Sequence, residues 1–185
     1  EGSGARMTSP TLTQFFRHQL ARVFADCRPE DAPALDYISD LLARFARPQA
    51  LYPFAADGRP LEHLVDLWSA YRQALADPRL GRARARLVLC HVGEYSLFMS
   101  GLFRERLRRR GELDYYLAQG ASAYSHCAGI EPLPPRRRLF QRLHRDFRAV
   151  SSSLDRLRQR HWPLADSLWL NRQGPAQALQ SSFWH

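Results

Sequence analysis

The sequence predicts an all-α protein: a single-domain bundle of about six helices packed around a buried central helix at about 79–109. Three observations carry this expectation. Apolar residues recur at three- and four-residue spacing along most of the chain, and no convincing two-residue alternation marks a strand. Ser-Pro, Asp-Pro and proline-rich stretches punctuate those periodic segments at plausible helix ends. One segment, LVLCHVGEYSLFMSGLF at residues 87–103, is apolar on nearly every helical face, as in a helix enclosed by others.

Residues 1–6, EGSGAR, precede Met7 and read as an expression-tag remnant, so the native domain is taken as 7–185. Ser9-Pro10 reads as the N-cap and first residue of an opening helix carrying Phe15, Phe16, Leu20, Val23, Phe24 and Cys27. A second helix follows Asp31, with Leu35, Ile38, Leu41, Leu42 and Phe45 on one side. Three prolines and a glycine make residues 47–60 a loop, and its Leu51, Tyr52 and Phe54 imply that it lies across the core. Pro60 is expected to open a third helix bearing Leu61, Leu64, Val65, Trp68, Tyr71 and Leu75.

Asp77-Pro78 reads as the cap of the long central helix, and Gly111 as its stop. A fifth helix follows in GELDYYLAQGASAYSHCAG (111–129), and GIEPLPP (129–135) reads as a rigid linker. Leu139, Leu143, Phe147, Val150, Leu154 and Leu157 then form one stripe along a last helix ended by Pro163. A tail from about 163 completes the domain.

All 27 basic residues are arginine, while asparagine occurs once and isoleucine twice. That bias is what a GC-rich genome produces, and a bacterial source is expected, so part of the arginine excess is expected to be mutational. A formal charge of +9 nevertheless predicts attraction to an acidic protein, nucleic acid or an anionic surface. Three separated cysteines without a CxxC argue against a zinc ribbon, and no apolar leader follows Met7. The expected setting is reducing and cytoplasmic. The 17-residue apolar run holds His91 and Glu94 and is too short for a transmembrane segment.

His91 and Glu94, three residues apart, pose the main chemical question. A carboxylate in an apolar helix needs a partner, and an arginine or tyrosine from a neighbouring helix would supply one. The alternative is a pocket formed by His91, Glu94, Tyr95, Tyr124 and His126, holding a small molecule, haem or a single metal. A di-metal bundle would need two Glu-x-x-His pairs, and only one reversed pair exists. Adjacent Cys90-His91 and His126-Cys127 diverge by about 100° on a helix, the wrong geometry for a nucleophile and its base. No phosphate-binding or serine-hydrolase motif occurs.

Basic candidates crowd two regions. Arg106, Arg108, Arg109 and Arg110 end the central helix, where cations suit the dipole. Arg136, Arg137 and Arg138 open the last helix against its dipole, and Arg142 and Arg145 continue the face. Phe183 and Trp184 near the C-terminus form a candidate docking peptide. The sequence thus favours a non-catalytic helical regulator or adaptor that binds an acidic protein or nucleic acid, with no cofactor. Self-association as a homodimer is left open. The runner-up is a helical ligand-, haem- or metal-binding protein or enzyme using the internal pocket.

Overall fold

The computed structural model describes residues 11–24, 32–56, 59–61, 63–79 and 81–161. Among them the chain is all-α, with nine helices and one two-residue antiparallel pair. These are α1 (Leu12–Val23), α2 (Ala32–Phe45), α3 (Pro48–Leu51), β1 (Ala55–Ala56), β2 (Arg59–Pro60) and α4 (Leu64–Ala76). The second half comprises α5 (Gly81–Leu102), α6 (Arg104–Arg109), α7 (Leu113–Ile130), α8 (Pro134–Arg145) and α9 (Phe147–His161). Nine replaces the expected six because two long helices break and the 47–60 loop contains the single turn α3.

No proline or glycine announces the break at Asp146, whereas Ser100-Gly101 directly precede the one at Phe103. The central helix leaves helical geometry at Phe103 (φ −112°, ψ 28°), although Phe103 N–H still donates to Met99 and Leu107 N–H to Phe103. Asp146 (φ −102°, ψ 14°) divides the predicted last helix into α8 and α9 in the same way. Ser9 and Pro10 lie outside the described residues. The cap of α1 is Thr11, whose hydroxyl accepts from Gln14 N–H while the Gln14 side chain accepts from Thr11 N–H. Cys27 and the tail from about 163 also lie outside them.

Three further expectations need correction. Pro60 pairs with Ala55 instead of opening a helix, and α4 begins at Leu64. The buried face of α4 is Leu64, Leu67 and Ala74, whereas Val65 (63% exposed) and Leu75 (54%) look outward. The 129–135 linker shrinks to residues 131–133, because α7 runs through Ile130 and α8 takes Pro134 as its first residue. Asp77 has a double role: it ends α4, and its carboxylate accepts from Arg79 N–H in the turn leading to α5.

The expectation for the centre holds. From Val88 to Phe103 every residue is buried except half-buried Cys90, so α5 is enclosed by α4, α7 and α9. Leu87 lies just outside this zone, at 65% exposed. Gly111, at φ +69°, terminates α6: its N–H donates to Arg108 and that of Glu112 to Leu107, a Schellman closure. The turn sends α7 back along α5.

Contacts along the α5–α7 seam follow an antiparallel register. Arg86 approaches Glu131, Cys90 meets Cys127, Gly93 meets Tyr124, and Ser96 meets Gly120. Small residues make the approach possible. A methyl group at Gly93 would lie 3.0 Å from the Tyr124 ring, and one at Gly120 2.1 Å from the Phe147 ring. Gly101 accommodates Leu154 of α9 in the same manner, at 2.5 Å.

Gly120→Ala is therefore expected to destabilise the fold by about 2 kcal/mol or more through overpacking. Gly129→Ala, in the same helix but with nothing within 4 Å, should be neutral or stabilising by about 0.5–1 kcal/mol. Urea denaturation of both variants measures the difference, and equal effects would contradict this packing.

Candidate functional site

His91 and Glu94 share a helix face but engage different partners. Glu94, 8% exposed, is met by two side chains of α2. Tyr37 donates its hydroxyl to Oε1 at 2.7 Å. Arg44 donates from Nη2 to Oε1 at 2.8 Å and from Nη1 to Oε2 at 3.3 Å, a two-pronged ion pair. Arg44 also bonds Asp40 one turn earlier on α2 at 2.8 Å, which holds the guanidinium in place. The carboxylate expected to need a cross-helix partner has found both kinds named for it, arginine and tyrosine.

His91 turns toward the 47–60 connection. Its Nε2 lies 3.0 Å from the Leu51 carbonyl, which only accepts, so Nε2 carries the proton. The ring meets Phe45 and Phe54 edge-on at 5.8 and 5.5 Å, and stacks on Tyr95 at 5.9 Å. Burial lowers its pKa to about 4, and Arg44 adds to the effect against the Leu51 bond. His91 is thus a neutral core residue that ties a loop carbonyl to the central helix.

The remaining pocket candidates divide. Tyr124 lies under the same network, edge-on to Tyr37 at 6.3 Å and stacked on Phe140 at 5.9 Å. Its buried hydroxyl has no hydrogen bond of good geometry. Burial and the nearby Glu94 charge push it well above the usual tyrosine range, so it stays protonated. Tyr95 is buried against His91. His126 does not converge: it is exposed, bonded by Nδ1 to its own Ser122 carbonyl at 2.8 Å, and edge-on to Trp68. A cleft of about 220 Å³ exists elsewhere, among α1, α2, α8 and α9, and neither His91 nor Glu94 lines it. Among the described residues, no cluster of three or more His, Cys, Asp or Glu side chains is arranged to hold a metal ion. No described helix is long and apolar enough to cross a membrane.

Many candidate arginines have structural partners. Arg108 and Arg109 both reach Glu105, at 3.0 and 3.4 Å, and Arg110 lies 3.9 Å from Glu112. Arg142 and Arg145 flank Asp146 at 2.6 and 3.2 Å. Arg104 donates to the Ser100 carbonyl and the Ser151 hydroxyl, joining the end of α5 to α9. Arg106 is half-buried and Arg138 exposed, and neither has an ion-pair partner among the described residues. Phe183 and Trp184 lie outside those residues.

The basic run at 136–138 has a feature that the sequence concealed. Glu131, only 1% exposed, occupies the joint between α7 and α8. Its Oε1 accepts from Leu133 N–H, and its Oε2 lies 3.2 Å from Arg136 Nε and 3.8 Å from Arg86 Nη2. Arg136 also lies over the Phe140 ring at 5.3 Å. Arg137 donates to the Glu131 and Pro132 carbonyls. One buried carboxylate thus gathers arginines from α5 and α8, giving part of the run a local purpose that helix stability alone did not supply. No known family model, curated protein or solved structure matches the chain.

Two tests address the interior pair. Because His91 stays neutral in the fold but has an ordinary value near 6.5 when unfolded, the unfolded chain binds more protons between those limits. Stability should fall by up to about 3 kcal/mol as pH drops from about 6.5 to about 4. His91→Gln, which keeps a donor without titrating, should flatten that slope in denaturation midpoints; an unchanged slope would refute the assignment. Arg44→Ala strands a buried carboxylate and should cost about 2–3 kcal/mol, discounted for the partial exposure of Arg44. Glu94→Gln keeps an acceptor for Tyr37 and should cost less, and the reverse order in urea denaturation would contradict the ion-pair assignment.

Proposed function

We propose that the protein is a non-catalytic helical regulator or adaptor that holds an acidic partner on the basic surface where α5 and α8 begin. The observation that carries this reading is the convergence of Arg86 and Arg136 on Glu131. Through it, the arginines of two helix starts belong to one region. Arg82 lies one turn before Arg86 on the same face, exposed and without an ion-pair partner among the described residues. Neither α5 nor α8 has an acidic residue in its first turn. The positive ends of two helix dipoles add to the arginine charge, and among the described residues the Glu131 carboxylate and Asp77 in the turn before α5 offset part of it.

The inward-facing groups favour the same side of the choice. Glu94 is held by Arg44 and Tyr37, and His91 Nε2 is held by the Leu51 carbonyl, which favours a structural role for the pair.

Fluorescence anisotropy with two labelled probes, a short DNA duplex and a polyglutamate peptide, tests the proposal at about 50 mM salt and above. Binding of at least one probe is expected, with affinity falling steeply as salt rises. Arg82→Ala/Arg138→Ala should weaken it about tenfold and reduce the logarithmic salt slope by about 2. A preference between probes identifies the partner class. Absence of binding to both at low salt, or indifference to the double substitution, overturns the proposal.

A further inference from the structure

The Cys90–Cys127 contact has no role in the basic surface or in the Glu94 network. The two residues stand 37 apart in sequence on different helices, yet their Sγ atoms are 3.4 Å apart and both are free thiols. Their meeting follows from the α5–α7 register. The Gly93–Tyr124 contact is one turn inward, and the Arg86–Glu131 approach is one turn outward. The thiols therefore occupy the boundary between the packed seam and the basic surface.

The members of the pair differ. Cys90 is half-buried and reachable from outside, whereas Cys127 is 1% exposed and lies behind it. Either thiol can donate across the contact; the hydrogen bond with Cys127 lowers the Cys90 pKa, with Arg136 and Arg86 adding positive potential and burial and Glu94 opposing. The same contact and burial raise Cys127. The more exposed Cys90 is thus placed to meet an oxidant first, with the buried Cys127 directly behind it.

We propose that Cys90 and Cys127 form a reversible dithiol–disulfide pair oxidised by hydroperoxides, with Cys90 as the reacting residue and Cys127 as the resolving one. In the first step, the Cys90 thiolate attacks one peroxide oxygen. The O–O bond breaks, the departing hydroxide takes a proton to become water, and Cys90 becomes a sulfenic acid. In the second step, Cys127 gives up its proton and attacks Cys90 Sγ. The S–O bond breaks, a second water leaves and the S–S bond forms. Two thiols lose two electrons in all, and one hydrogen peroxide becomes two waters. The sulfurs must close by about 1.4 Å to reach bonding distance. The product staples α5 to α7 beside the basic surface, and a thiol reductant reverses it by exchange.

The test treats the fully reduced whole chain with hydrogen peroxide. Free thiols counted after denaturation should fall from three to one, since Cys27 remains. Proteolytic mapping should give one cross-linked species joining the Cys90 and Cys127 peptides. The midpoint of thermal unfolding should rise by about 5–10 °C and return on adding dithiothreitol. Cys127→Ala should leave a sulfenic acid on Cys90 that dimedone traps, whereas Cys90→Ser should leave Cys127 unmodified. If either variant fails to fold, the wild-type peptide map alone decides. A map without the Cys90–Cys127 link, or with links to Cys27 or between chains in its place, overturns the proposal.

Discussion

A carboxylate in the middle of an apolar helix must be answered where it stands, and Glu94 fixes much of the surrounding structure by being answered from α2. Leaving the charge unpaired in that environment would cost several kcal/mol, so α2 must present Arg44 and Tyr37 at defined positions. Arg44 is steadied by Asp40, and Tyr37 meets Tyr124 and Phe140 edge-on. One ion pair thereby coordinates α2 with α5, α7 and α8. Its neighbour His91 does a smaller version of the same task, anchoring the 47–60 connection through one carbonyl.

Enclosure of α5 depends equally on close approach by its neighbours. Glycine at 93 and 101 weakens a helix, but in each case the missing Cβ is replaced by a ring or branch of a facing residue. Tyr124 over Gly93 also brings its hydroxyl toward the Glu94 network. Helix packing and charge satisfaction are therefore coupled at the α5–α7 seam. That seam has an antiparallel register, and the same register sets Cys90 opposite Cys127 and Arg86 near Glu131.

Much of this was legible in the sequence, and the limits have physical causes. The all-round apolar character of residues 87–103 announced a buried helix, and a buried carboxylate implied an arginine or tyrosine partner. Which arginine was not legible, because Arg44 is 50 residues away and no local pattern records tertiary register. The Cys90–Cys127 contact was hidden for the same reason: thirty-seven residues have no periodic meaning until Gly111 reverses the chain. No proline or glycine marks the break at Asp146, Gly101 before Phe103 does not by itself stop a helix, and apolar stripes continue through both. For α4, the expected stripe took in Val65 and Leu75, which look outward, and missed Leu67 and Ala74, which the helix buries beside Leu64. Glu131 was read as linker and so received no partners.

Glu131 also sharpens the question of charge. Interior and near-interior arginines have evident tasks: Arg44 holds Glu94, Arg104 bridges to Ser151, and Arg158 joins Asp155. Arginines at the ends of α6 and α9 suit those helix dipoles. Those at the starts of α5 and α8 do not. There, the first turns carry arginine and no acidic residue, which local helix stability disfavours by a few tenths of a kcal/mol for each charge. That every basic residue in the chain is arginine does not explain why basic residues gather at two helix starts. A single buried carboxylate draws Arg86 and Arg136 together and leaves the charge of Arg82 and Arg138 outward. An anion seated over that region would relieve the mutual repulsion and the unfavourable dipole interaction together, which is the physical basis for proposing an acidic partner at this surface.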